Sequence, residues 1–261
     1  MLNILSQLVL PFVLSALIVI LITFIAEKYG TKAGGILGTL PSTIIIAFIF
    51  IAFNKGVDFA SQSVSVVPAE IGINLVFLLI FVLLAYKSTV IALVASMVVW
   101  VMLSTVLYFL DITNILLSLL IFVISLIFTF TYLEHIKKIP STGKVKVHYT
   151  PMKIILRGVL TGTIITISVL LSNISPSLSG IISVFPAIIS STMIISIREH
   201  GPDFAAGMAK SMIFGCTSVM SYAVFIHFLY PAYGIVIGTI IAFCISFGIT
   251  MILFKFRSKI R

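Results

Sequence analysis

The sequence predicts an all-α polytopic membrane protein. Nine transmembrane helices form two inverted four-helix repeats joined by a linking helix, with the N-terminus outside and the C-terminus in the cytoplasm. Three observations carry this reading. The 261-residue chain is 61% hydrophobic and only 9% charged, whereas soluble domains hold about 25% charged residues. Its apolar residues fall in long, unbroken runs. Its two halves also share a motif at a fixed offset of 145 residues.

The runs mark helices at roughly 5–26, 34–53, 64–86, 88–109, 113–133, 153–172, 179–197, 207–229 and 232–254. A bilayer needs about 20 mostly apolar residues per crossing helix, so nine use about 180 residues and leave little for any other domain. Transmembrane strands alternate polar and apolar residues, which these runs do not. The first run lacks a basic start and a small-residue cleavage site, so it reads as a helix and not as a signal peptide. The division is 1–110 for the first repeat, 111–152 for the linking helix and its basic linker, and 153–261 for the second repeat.

Orientation follows from basic residues, which favour cytoplasmic loops. Lys255, Arg257, Lys259 and Arg261 set the C-terminus inside. Alternation then places Lys137, Lys138, Lys144, Lys146, Lys153 and Arg157 on the same side. Lys28, Lys32, Lys87, Arg198 and Lys210 join them, and only Lys55 falls outside, a split of 15 to 1. The net charge of +9 therefore indicates cytoplasmic loops and anionic headgroups, not nucleic acid. The expected location is the cytoplasmic membrane. Cys216 and Cys244 lie in apolar runs without metal-ligand spacing and read as packed small residues.

The repeat aligns Gly35 and Ile36 with Gly180 and Ile181, Pro41 with Pro186, and Ile49 with Ile194. Gly56, Asp58, Phe59 and Ala60 align with Gly201, Asp203, Phe204 and Ala205. An odd number of helices between the starts of the two units makes them antiparallel. Inverted repeats of this kind are a common plan of secondary transporters.

The run Ala33 to Pro41 (AGGILGTLP) and its partner Leu178 to Pro186 (LSGIISVFP) are followed by the Lys55-Gly56 and His200-Gly201 turns. On these residues each unit resembles GlpM, a family of small bacterial four-helix membrane proteins about one unit long. The resemblance covers both units but neither the fifth span nor the basic linker. It implies a duplicated and fused version of such a unit, and no activity is carried over from the family.

Candidate site residues come from two places. Glu70 lies within the third span in the segment Pro68-Ala69-Glu70-Ile71-Gly72-Ile73-Asn74. An ionisable group there costs several kcal/mol and commonly faces a cavity, a partner or an ion. Pro68 frees a carbonyl, and Asn74 follows one turn later on the same face. Together these oxygens suit a proton or a hard cation; the alternative is a hydrogen-bonded structural carboxyl. The second repeat carries Gly215 there instead. The other place is the pair of prolines. Pro41 has Thr39, Ser42 and Thr43 beside it, and Pro186 has Ser183, Ser190, Ser191 and Thr192. Helices broken at related positions place half-helix ends at a midplane site; the alternative is a plain kink with hydroxyls bonded back to their own helix.

Asp58 and Asp203, each just before a helix, read as caps. The pairs Gly34–Gly38, Gly158–Gly162 and Gly234–Gly238 have GxxxG spacing, which permits close helix contact within a subunit or across a homodimer. Enzyme motifs for zinc or nucleotides are absent from the sequence, and His135, His148, His200 and His227 form no cluster in it, so no cofactor is expected and no metal is assigned. The expected function is a secondary transporter of a small solute or ion, H⁺- or Na⁺-coupled, with its site between the repeats. The alternatives are a non-transporting subunit or assembly factor, and a lipid-handling protein of flippase type.

Overall fold

The computed structural model describes residues 4–37, 41–139 and 150–259, without the side chains of residues 25–37 and 254–259. Thr39, Gly38, Lys144, Lys146, His148 and Arg261, and the side chains of Lys28, Lys32, Gly34, Lys255, Arg257 and Lys259, lie outside the described residues.

Every regular element described is a helix. A π-helical turn, Leu5–Val9, leads into α1 (Leu10–Leu37). Then come α2 (Ser42–Lys55), α3 (Val57–Val64), α4 (Val67–Ala85), α5 (Thr89–Phe109) and α6 (Ile115–Thr131), the last followed by a π-turn at Tyr132–Ile136. The second half holds α7 (Pro151–Leu171), α8 (Pro176–Ser183) and α9 (Ala187–Lys259). Among the described residues six helices are long and apolar enough to cross a membrane, and Ser42–Lys55 is a shorter apolar one. This is a helical membrane protein.

Two boundaries differ from expectation. Helix α1 runs unbroken through the turn expected near residue 30, because no proline interrupts it there. The second difference is a break inside the expected 179–197 span, between α8 and α9; α9 itself has non-helical backbone at Gly201 and Gly234, near the junctions of the last three expected spans. Gly201 (φ 82°, ψ 174°) and its counterpart Gly56 (φ 94°, ψ 163°) share one left-handed conformation. Only glycine adopts it without strain, which explains why both turns keep that residue.

Helix α4 forms the centre. It is apolar all round, as a helix must be when no face meets solvent, and Val67, Leu75, Phe77, Leu78 and Phe81 are fully buried. Helices α5, α6 and α9 surround it. Gly72 lets α6 come close, since a Cβ there would lie 3.2 Å from Phe122 Cα. The buried Ser118 hydroxyl accepts from the Ala69 N–H at 2.8 Å and so serves an orphan donor in the first turn of α4. The outer faces of α5 and α6 expose Val94, Val98, Met102, Leu120 and Ile127, a surface suited to lipid.

Helices α1 and α7 form the most extensive helix pair. Gly158 faces Ala16 and Ile20, while Gly162 faces Phe12, so the two helices run antiparallel. That GxxxG pair serves packing within the chain. Polar contacts then sort into two ends. At one end Lys153 pairs with Glu199, Tyr86 donates to Asp203, and Lys210 pairs with Glu134. At the other end Ser6 donates to Asn54, Asn173 to Gln7, and Ser177 to Asp111. The N-cap of α3 is Gly56, without a side-chain cap, and Asp58 stands in the first turn; Asp203 accepts from the Tyr86 hydroxyl.

Lys210 is 5% exposed and also donates to the Ile139 carbonyl at 2.8 Å. It therefore ties the chain after α6 to α9. Lys210→Met should destabilise the protein by about 2 kcal/mol, since it orphans a buried carbonyl while Glu134, partly exposed, regains water. Glu134→Gln should cost about half as much. Thermal unfolding in detergent checks both, and a double-mutant cycle isolates the pair.

Candidate functional site

Helix starts divide into two kinds. Asn114, Thr150 and Ser175 cap α6, α7 and α8 with their side chains. Helices α2 and α9 instead begin directly after Pro41 and Pro186, whose rings have nothing to donate or accept. No side chain caps α2. The first N–H groups of such a helix lack partners within it, and its end carries partial positive charge; at α9 the Ala187 N–H donates to the Phe185 carbonyl at 2.8 Å.

These two starts meet at one cavity of about 170 Å³. Ser42 and Thr43 of α2, and Ala187, Ile188 and Ile189 of α9, line it. Asn74 of α4, Thr23 of α1, and Arg157 and Thr161 of α7 add polar groups. Ile71, Ile165, Met212 and Cys216 supply apolar walls. Elements of both halves thus line one partly open space. The chain between α8 and α9 is held open there: Asn74 Nδ2 donates to the Val184 carbonyl at 2.7 Å. The other amide atom, Asn74 Oδ1, is buried without a partner.

The expected site residues divide. Asn74, Ser42, Thr43 and Pro186 line the cavity, and Pro41 adjoins it as the residue that starts α2. Ser190 and Ser191 do not. Their hydroxyls bond back to the carbonyls of Pro186 and Ile188, the local arrangement of a helix serine.

Glu70 is fully buried yet absent from the cavity wall. It points from α4 toward α5, where Ser104 donates to Oε1 at 2.7 Å. Oε2 has no partner. The Trp100 indole faces the same carboxyl but makes no hydrogen bond. Trp100 packs edge-on against Phe185 at 4.9 Å, and Phe185 lines the cavity. Two aromatic rings therefore connect Glu70 to the cavity without opening it to that space.

Arg157 is the functional candidate that sequence reasoning missed, having counted it only as a loop charge. It is 9% exposed and is the one charged side chain on the cavity wall among the described residues. Its position inside a predicted span was the available signal, the same one that singled out Glu70. His227 is likewise not alone: its Nδ1 lies 3.2 Å from the Ser61 and Ser65 hydroxyls and 2.9 Å from the Ser61 carbonyl. This joins α9 to α3 near the Asn54 end.

Residues 8–113 match a family described as a protein of unknown function (DUF3147). No curated protein and no solved structure matches the chain.

Proposed function

We propose that this chain is a secondary transporter that moves a small solute through the cavity between its halves. One observation carries the reading: two proline-initiated helix ends, 145 residues apart in sequence, converge on a single, mostly apolar space that carries a few polar groups and is lined by both halves. Half-helix ends meeting at a repeat interface are how many transporters bind solute.

The proposal includes nine crossings of the cytoplasmic membrane, with the C-terminus on the cytoplasmic side. The antiparallel α1–α7 pair supports it. So does the gathering of Lys87, Lys153, Arg198 and Lys210 at one end, with Lys55 at the other. The family match over 8–113 supports a first unit ending near residue 110. Two equivalent halves pointing opposite ways exchange inward-open and outward-open states at little cost in energy.

Cys216 lines the cavity and Cys244 is exposed, which gives a direct test. In Cys244→Ser protein reconstituted in vesicles, Cys216 should react with a membrane-impermeant thiol reagent applied from either side. Labelling from one side only, or from neither, would overturn alternating access and leave the reading of a non-transporting subunit.

A further inference from the structure

We infer that the cavity holds a small uncharged amphiphile, in the class of short alkanediols. The purpose of this site rests on the transport reading above; the binding itself does not.

The wall has two unlike sides. Ser42 and Ala187, Thr43 and Ile188, and Asn74 and Val219 all line the space. The members of each pair stand 145 residues apart, the offset at which the two halves align in sequence. The first half therefore presents two hydroxyls and an amide where the second presents three hydrocarbon side chains. A ligand matched to both has hydrogen-bonding groups on one flank and hydrocarbon on the other.

The polar side keeps bonding capacity. Elsewhere on the wall, the hydroxyls of Thr23, Thr161 and Ser183 donate to carbonyls of their own helices, those of Val19, Arg157 and Gly180. Ser42 and Thr43 stand in the first turn of α2, where the residue four back lies before the helix. No hydrogen bond joins either hydroxyl to another described residue. Asn74 Nδ2 is committed to the Val184 carbonyl, which fixes the orientation of the amide. That leaves Oδ1 as a buried acceptor without a partner. A hydroxyl both donates and accepts, and an unmet acceptor calls for a donor. Two neighbouring hydroxyls on a ligand meet all three groups.

The apolar side argues against charge. Ala187, Ile188 and Val219 offer nothing to an ion that has left water. The one charged group on the described wall, Arg157, already interacts within the chain, so the binding does not call on it. Size sets the remaining limit. A cavity of about 150 Å³ accommodates benzene, with six heavy atoms, and this one measures about 170 Å³. Butane-1,2-diol also has six heavy atoms, as does butyrate.

The test uses the purified full-length Cys244→Ser chain in detergent and reads binding as slowed alkylation of Cys216, a wall residue, by a small maleimide. Butane-1,2-diol should protect Cys216. Butyrate and butylammonium should need at least about tenfold higher concentration to do so. Thr43→Val, which keeps the shape and removes the hydroxyl, should weaken protection by the diol at least about fivefold. The same variant should leave protection by benzene unchanged, a readout that a loss of folding would move. Butyrate or butylammonium protecting as well as the diol overturns the assignment, as does benzene protecting as well as the diol in the parent chain. Full protection by the diol in Thr43→Val overturns the role of the polar side and the assignment with it. Protection by the diol, with Cys216 in vesicles labelled from one side only, overturns the transport reading alone; labelling from both sides with no protection by the diol overturns this proposal alone.

Discussion

Gly180→Ala should be among the most destabilising single-methyl additions in the protein. A Cβ at Gly180 would sit 2.1 Å from the Ser63 carbonyl oxygen and 2.6 Å from Val66 Cγ1. Real side chains do not tolerate such a distance, and the obstacle is backbone, not a side chain able to swing aside. Nor can α8 retreat easily, because Ser168 donates to the Ser179 carbonyl and Ser179 donates to the Ser168 carbonyl, at 2.8 and 2.9 Å. The added methyl must therefore part α8 from α3. That places the cost at the upper end of overpacking, about 3 kcal/mol or more, and a fall in Tm of roughly 10 °C for a chain of this size. Gly248→Ala is the control. Nothing lies within 4 Å of its added Cβ, so it should leave Tm unchanged or raise it slightly through helix propensity. Equal melting of the two variants would show that α8 and α3 do not pack as closely as described.

Gly180 also illustrates what a sequence discloses. The alignment with Gly35 marks the position, and GxxxG spacing marks Gly158 and Gly162, because small residues at fixed offsets survive as a pattern. Pro41 and Pro186 were legible for a related reason: a residue without an N–H breaks a helix interior and is tolerated at its start. Side-chain direction was not legible. Glu70 and Asn74 are four residues apart and share a face in any helical projection. Helix α4 is buried on all sides, so burial gives no direction either. Only the packing of α5 on one side, and of the α8–α9 break on the other, sends Glu70 to Ser104 and Asn74 to Val184. Ser190 and Ser191 fail as site residues because a hydroxyl in a helix can reach its own backbone, a bond that no spacing reveals.

Glu70→Leu should leave stability close to that of the parent chain while removing any response of transport to protons. The carboxyl keeps one hydrogen bond, from Ser104, and leaves Oε2 without a partner in a site with no exposure. Replacing such a group by an apolar one of similar size is commonly neutral or stabilising, since desolvation offsets much of what the bond contributes. The released Ser104 hydroxyl has its own helix carbonyls within reach, as Ser96 already uses the Ala92 carbonyl. A carboxyl retained in hydrocarbon without clear structural benefit is a candidate for work, and the Trp100–Phe185 contact gives it a route to the cavity wall. Proton uptake at Glu70 would alter the local packing around Trp100, which packs on Phe185 of the cavity wall. In vesicles containing a pH-sensitive dye, an imposed inward proton gradient should produce proton entry through the parent chain. Both Glu70→Gln and Glu70→Leu should reduce that entry at least tenfold, with Tm within a few degrees of the parent. If Glu70→Leu instead melts far lower and Glu70→Gln still carries protons, the carboxyl is a structural partner of Ser104 and takes no part in coupling.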